Sequence, residues 1–172
     1  MKILVAGGSG FIGRRLIKSL SNRLVQDKSA QNEIICLSRN PESIKCMFGS
    51  NVSVVKADIS DYESLAQVMK DVDIAYYLVH SMEGSSKEWG KFAERDRIAA
   101  QNFVKATTAC GVKRVIYLGG LTHAKDDELS LHMRSRKEVG QILKKGAPLM
   151  LLFSGRLSSS GRRVGRSRCS SI

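Results

Sequence analysis

The chain has no apolar run approaching the roughly 20 residues of a membrane-spanning helix. Its densest apolar patch, Leu149 to Phe153, has the length of a strand. It also has no recognisable secretory leader. Met1-Lys2 passes straight into an apolar strand and then into glycines, without a long apolar core and a small-residue cleavage site. No membrane span and a cytoplasmic location are therefore the expectations. Cysteine is sparse: Cys36, Cys46, Cys110 and Cys169 form no C-x-x-C pair, and the three histidines are scattered. The thiols read as reduced, and no metal site is expected. Acids are missing from the last 19 residues, where Arg156, Arg162, Arg163, Arg166 and Arg168 supply five of the net +12 charges. The remaining +7 is spread along the chain. No recognition motif accompanies it, so nucleic acid is not the expected partner, whereas an anionic dinucleotide is.

What is present is alternation. Lys2 to Ala6, Glu33 to Leu37, Val52 to Lys56, Ile74 to Val79, Arg114 to Leu118 and Pro148 to Phe153 read as short, continuously apolar strands. Between them lie helical patterns over Phe11 to Leu24, Asp61 to Lys70, Lys87 to Cys110 and Arg134 to Lys145, with a shorter turn or helix starting at Pro41. Ser60 or Asp61 is the expected N-cap of the second helix, and Gly111 the C′ residue of the third. Strands alternating with helices predict a three-layer α/β/α sandwich around a parallel sheet of about six strands. The domain is expected over residues 1–153. Residues 154–172 are expected to form a basic Ser/Arg/Gly-rich tail outside it, because such a composition cannot bury enough apolar surface to offset its ordering entropy. Two explanations of that tail stay open. One is a shifted reading frame that truncates the fold at its C-terminus, and the other is a genuine basic tail for RNA or acidic membrane.

The run Gly7-Gly8-Ser9-Gly10-Phe11-Ile12-Gly13 joins the first strand to the first helix. It satisfies G-x-G-x-x-G through Gly8, Gly10 and Gly13, and G-x-x-G-x-x-G through Gly7, Gly10 and Gly13. The chain must turn tightly there, the backbone must approach a pyrophosphate with no Cβ in between, and the helix must pack close to the strand. The helix then points free N–H groups and a positive dipole end at the phosphates. The strand before the turn and the helix after it are the context that gives this pattern meaning. Gly7, Ser9, Gly10, Phe11, Ile12 and Gly13 are the candidate pyrophosphate contacts.

The second strand ends in Ser38-Arg39-Asn40-Pro41. An NAD-preferring site usually places an acid at that point to bind the ribose hydroxyls. Here Arg39 is positioned to bind a 2′-phosphate, which predicts NADP(H) in preference to NAD(H). A solvated surface arginine is the alternative reading. Arg14 and Arg15 either help from the first helical turn or face water. Asp58, followed by Ile59, either accepts from the adenine amino group or serves as a turn or cap aspartate.

These features, together with Ala57-Asp58, the segment Ala75 to Met82, Asp96, Asn102 and Ala106, Gly111-Val112-x-Arg114 and Tyr117 to Leu121, make residues 1–153 resemble the extended or atypical branch of the short-chain dehydrogenase/reductase superfamily. The nearest likeness is to NmrA-like and complex I nucleotide-subunit-like proteins. The resemblance implies that Val79, His80 and Ser81 pass beside the nicotinamide ribose, with Leu78 before them as a further candidate cofactor contact. Catalytic members carry a Tyr-x-x-x-Lys pair on the helix after the fifth strand, and the matching positions here read His132-x-x-x-Arg136. The resemblance therefore implies an NADP(H)-binding protein of the reductase type. Arg136 would contact ribose, and His80 and His132 are the candidates for proton transfer in an oxidoreductase acting on a small molecule. Two alternatives stay open: a dinucleotide sensor or assembly subunit without catalysis, and a truncated product lacking the substrate lobe. The long helix near Phe92 to Phe103 is a candidate homodimer face.

Overall fold

The computed structural model describes residues 1–26, 32–79, 89–119, 129–153 and 156–157. In chain order the elements are β1 (Lys2–Ala6), α1 (Phe11–Gln26), β2 (Glu33–Ser38), two short 3₁₀ turns (Pro41–Ser43 and Lys45–Met47), β3 (Val52–Lys56), α2 (Tyr62–Val68), β4 (Ile74–Tyr77), α3 (Trp89–Ala109), β5 (Arg114–Gly119), α4 (Leu131–Gly146), β6 (Leu149–Phe153) and β7 (Arg156–Leu157). The sheet order is β3-β2-β1-β4-β5-β6-β7. All pairs from β3 to β6 are parallel, and β7 adds an antiparallel pair, Leu152 with Leu157 and Phe153 with Arg156. This is the doubly wound order, in which the chain reverses direction of growth between β1 and β4. The crevice that such a reversal opens lies at the C-terminal ends of the strands.

The period-2 alternation of each strand divides the core between the two faces of the sheet. Leu4, Ala6, Ile35, Leu37, Ala75, Tyr77, Val115 and Tyr117 share one cluster with Leu65 of α2, Phe103 of α3 and Leu143 of α4. Ile3, Val5, Ile34 and Cys36 share the other with Ile17 of α1. Tyr77 anchors the first cluster, meeting Phe103 at 4.9 Å and Tyr117 at 5.9 Å in edge-on geometry. Phe103 is therefore core, and the dimer-face reading of the long helix does not extend to it. Helices α3 and α4 are joined by Ser135 Oγ donating to Asp96 Oδ2 at 3.0 Å and by an Arg97–Glu138 ion pair.

The element boundaries differ from the sequence expectation where a partner, not a residue preference, decides them. β4 ends at Tyr77 and not Val79, because its β1 neighbour gives out at Ala6. β5 runs through Gly119, since β6 continues to Phe153 opposite it. α4 starts three residues earlier than Arg134, capped by Ser130, whose side chain accepts from Met133 N–H. β7 reaches two residues into the segment expected to lie outside the sheet. Among the described residues no helix is long and apolar enough to cross a membrane.

Candidate functional site

The turn after β1 is closed by Gly10 N–H donating to Gly7 O at 3.1 Å, and α1 starts with Arg14 N–H donating to Gly10 O at 3.0 Å. Among the described residues the N–H groups of Phe11, Ile12 and Gly13 find no acceptor, so three donors face outward from the first turn of α1. The four glycines meet four different demands. Gly7 sits at φ +87°, where a Cβ would lie 2.8 Å from the Leu78 carbonyl carbon. A Cβ on Gly8 would press within 3.0 Å of Cys36 Sγ and Ile17 Cδ1. A Cβ on Gly13 would stand within 3.0 Å of the Gly7 carbonyl and the Gly8 α-carbon. Among the described residues a Cβ on Gly10 would meet nothing nearer than the Gly7 oxygen at 3.4 Å, an ordinary contact. The turn is thus spaced as Gly7-x-x-Gly10-x-x-Gly13, and Gly8 is a packing glycine. Phe11 and Ile12 flank the turn with 66% and 50% of their surfaces exposed, and the Arg15 guanidinium lies 4.2 Å from the Phe11 ring centroid.

Arg39 leaves the end of β2 into solvent. Its departure is fixed by Ser38, whose Oγ accepts from Asn40 N–H at 3.1 Å while its carbonyl accepts from Ala57 N–H. Asp58 is exposed at the end of β3, and its Oδ1 accepts from Ser60 N–H at 2.8 Å, the geometry of an aspartate turn. One of its oxygens is therefore taken. Ile59 packs against the core beside it, and Asn102 of α3 donates to the Ser60 carbonyl at 2.7 Å, tying α3 to this loop. Leu78 and Val79 are half-buried just past β4, with Leu78 N–H donating to the Ala6 carbonyl at 2.9 Å. His80 lies outside the described residues.

His132 is partly exposed in the first turn of α4. One turn on, Arg136 reaches back to β5. Its Nη2 donates to the Leu118 carbonyl at 2.7 Å, while its Nε is buried without a partner among the described residues. Tyr117 Oη donates to the Arg136 carbonyl at 2.9 Å and fixes the backbone there. Burial pushes the Tyr117 hydroxyl up, and the nearby Arg136 charge opposes that shift. Tyr117, Ser135 and Asp96 are positioning residues that the sequence reading did not assign to the site. Their signal was an acid, Asp96, set at helical spacing between Phe92 and Phe103 on an otherwise apolar face.

The fold thus gathers the glycine turn, Arg39, Asp58-Ile59, Leu78-Val79 and Arg136 at the C-terminal ends of β1 to β5. An edge of this kind offers outward N–H groups for phosphates, cations on two sides and an apolar floor.

Comparison with known proteins agrees with that chemistry. A family model described as NAD(P)H-binding matches residues 7–147. The auxiliary protein GraX of Staphylococcus aureus is 31% identical over 120 residues, covering 69% of this chain and 36% of GraX. An NmrA-like family domain-containing protein of Dictyostelium discoideum is 33% identical over 119 residues, covering 67% of this chain and 35% of that protein. The chain spans about a third of the length of these relatives. Among solved structures, the dTDP-glucose 4,6-dehydratase DesIV of Streptomyces venezuelae, crystallised with NAD bound, superposes with a TM-score of 0.71 at 19% identity, covering 89% of this chain and 55% of DesIV. That likeness is one of fold.

Proposed function

The chain belongs to the NAD(P)H-binding family, within the atypical short-chain dehydrogenase/reductase and NmrA-like superfamily, and on that premise we propose that it holds NADP(H) in preference to NAD(H) across the C-terminal edge of its sheet. Gly10 carries this reading. Among the described residues only the Gly7 oxygen comes near the space in front of it, so the missing side chain is explained by something other than packing against them. The pyrophosphate would take the free N–H groups of Phe11, Ile12 and Gly13, with Ser9 beside them. Arg39 would bind the 2′-phosphate bidentately, Asp58 and Ile59 would border the adenine, and Leu78, Val79 and His80 would line the path to the nicotinamide ribose. The Nε of Arg136, without a partner among the described residues, would donate to that ribose. The dinucleotide domain would be residues 1–153, with β7 added to the edge of its sheet, in a protein of the cytoplasm.

The bound nicotinamide would supply or accept a hydride. His132, and His80 with it, would then move a proton to or from a small-molecule substrate. A second reading is supported by the start of α4, which carries His132 and Arg136 and no tyrosine. A protein so built can hold the dinucleotide as a sensor or assembly subunit without turning it over.

Titration of the 172-residue chain with NADPH and NADH tests the proposal. NADPH is expected to bind about tenfold more tightly or better, since a charge-assisted hydrogen bond contributes about 1.5–3 kcal/mol. Arg39→Ala is expected to erase the difference. Equal affinities in the parent protein, or a preference that survives Arg39→Ala, would overturn it. Loss of NADPH absorbance with candidate carbonyl substrates would then separate the enzyme from the sensor.

A further inference from the structure

We infer that Arg14, and not its neighbour Arg15, is the second arm of the 2′-phosphate cradle and helps set the NADP(H) preference; the inference rests on the reading of Arg39 above. The argument is one of helical phase. Ser21 of α1 donates to Asn51 Oδ1 at 2.7 Å, and Asn51 Nδ2 returns a hydrogen bond to the Ser21 carbonyl. Asn51 immediately precedes β3, so this flank of α1 overlooks β2 and β3. Arg14 stands seven residues before Ser21, about two turns, and so lies on the same flank. Because β1 and β2 are parallel and adjacent, α1 runs against the strands. Arg14 is therefore about 10 Å nearer their C-terminal ends than Ser21, level with the last residues of β2, from which Arg39 emerges. A guanidinium on a long stem at that height reaches the space beside Arg39.

Arg15 is turned away from this space. One position on, it is rotated by about 100° around the helix, and its guanidinium is stacked 4.2 Å from the Phe11 ring centroid. Charge points the same way. Helix α1 carries Arg14, Arg15, Lys18 and Arg23 and no acid. Among the described residues neither Arg14 nor Arg39 has an ion-pair partner. The nearest acids in sequence and register are Glu42, on the turn after Arg39, and Asp58, one of whose oxygens is held by Ser60. Two guanidinium groups at one strand end, neither ion-paired among the described residues, would repel each other where they share that space. A phosphate monoester relieves that repulsion, with oxygens enough for both forks.

The test measures dissociation constants for NADPH and NADH, and for adenosine 2′,5′-bisphosphate and 5′-AMP, with the parent chain, Arg14→Ala, Arg15→Ala and Arg39→Ala. Circular dichroism confirms folding of each variant. The expected result is that Arg14→Ala weakens NADPH and the bisphosphate by about tenfold. NADH and 5′-AMP are expected to move by less than about twofold, and Arg15→Ala to leave all four within about twofold. An equal loss of NADPH and NADH on Arg14→Ala, a loss confined to Arg15→Ala, or no loss on either would overturn the inference while leaving the Arg39 reading intact. A parent protein without NADPH preference, or a preference that survives Arg39→Ala, would overturn both.

Discussion

The end of β4 closes directly on the first glycine of the phosphate turn: a Cβ on Gly7 would stand 2.8 Å from the carbonyl carbon and 2.9 Å from the carbonyl oxygen of Leu78. Gly7 also holds φ +87°, a region that L-residues avoid. Gly10, three residues on, has neither constraint. One glycine is therefore demanded by the fold, and the other is left free by the described residues, which is what the proposed dinucleotide site requires.

Gly7→Ala is accordingly expected to destabilise the chain by about 2 kcal/mol or more, because positive φ and a backbone collision are added together. That corresponds to a fall in Tm of about 4–8 °C for a chain of this size. Gly10→Val is expected to leave Tm within about 2 °C and to abolish dinucleotide binding. Thermal melts and NADPH titrations check both. Binding retained by Gly10→Val would show that the turn is structural only.

Gly8 and Cys36 form a packing pair across the turn, with Ile17 beside them. Gly8→Ala overfills the site and is expected to cost about 1–3 kcal/mol. Cys36→Ala vacates part of the same space. The double variant should be more stable than the two single losses added together, with a coupling of about 1 kcal/mol. Urea unfolding of the four proteins measures it, and strict additivity would show that Sγ is not the obstacle.

The fold was legible because strand and helix periods differ and glycines punctuate them. Every parallel strand and the capped start of α2 at Asp61 follow from that pattern. Arg39 was legible as the basic residue ending a strand. The boundaries of β4 and β5 were not, since the length of the neighbouring strand decides them. Nor was the division of labour among Gly7, Gly8, Gly10 and Gly13, because a glycine does not announce what its missing side chain would strike. The hydrogen bond from Arg136 to Leu118, and the buried Asp96–Ser135 pair, join elements 18 and 39 residues apart, beyond the reach of local pattern.

Cys36 offers a pH test of the packing beneath the turn. Burial pushes its thiol up to about 11. The folded chain then keeps a proton that the unfolded chain releases, so this stabilisation is present below the ordinary thiol pKa and is lost as pH rises toward 11. Between about pH 8.5 and 10.5 the parent protein should lose on the order of 1–2 kcal/mol more than Cys36→Ala. Tyr77 and Tyr117, also raised by burial, titrate in both proteins and cancel in the comparison. Iodoacetamide should label exposed Cys46 in the folded chain and Cys36 only on unfolding. Identical pH slopes, or early labelling of Cys36, would contradict this account.

Arg136 combines a satisfied and an unsatisfied donor on one side chain, and this sets up the last prediction. Nη2 donates to the Leu118 carbonyl at 2.7 Å, whereas Nε is buried without an acceptor among the described residues. A buried donor left unmade costs about 1–3 kcal/mol, comparable to what the Leu118 hydrogen bond contributes. In Arg136→Met the aliphatic stem stays, and the bond and the orphaned donor leave together. The two changes oppose each other, so Tm of the ligand-free chain should move by no more than about 3 °C. Binding has no such compensation. If the ribose on the nicotinamide side is the acceptor that Nε lacks, Arg136→Met should weaken NADPH and NADH alike, by about tenfold. That is the opposite signature to Arg39→Ala, which should spare NADH. Arg136→Lys, which restores a cation at the position where catalytic short-chain reductases carry lysine, should recover much of the loss for both dinucleotides. Unchanged affinity in Arg136→Met would show that Nε waits for no ligand. A loss confined to NADPH would move Arg136 to the phosphate end, and a loss that tracks global unfolding would make it a structural strut between α4 and β5.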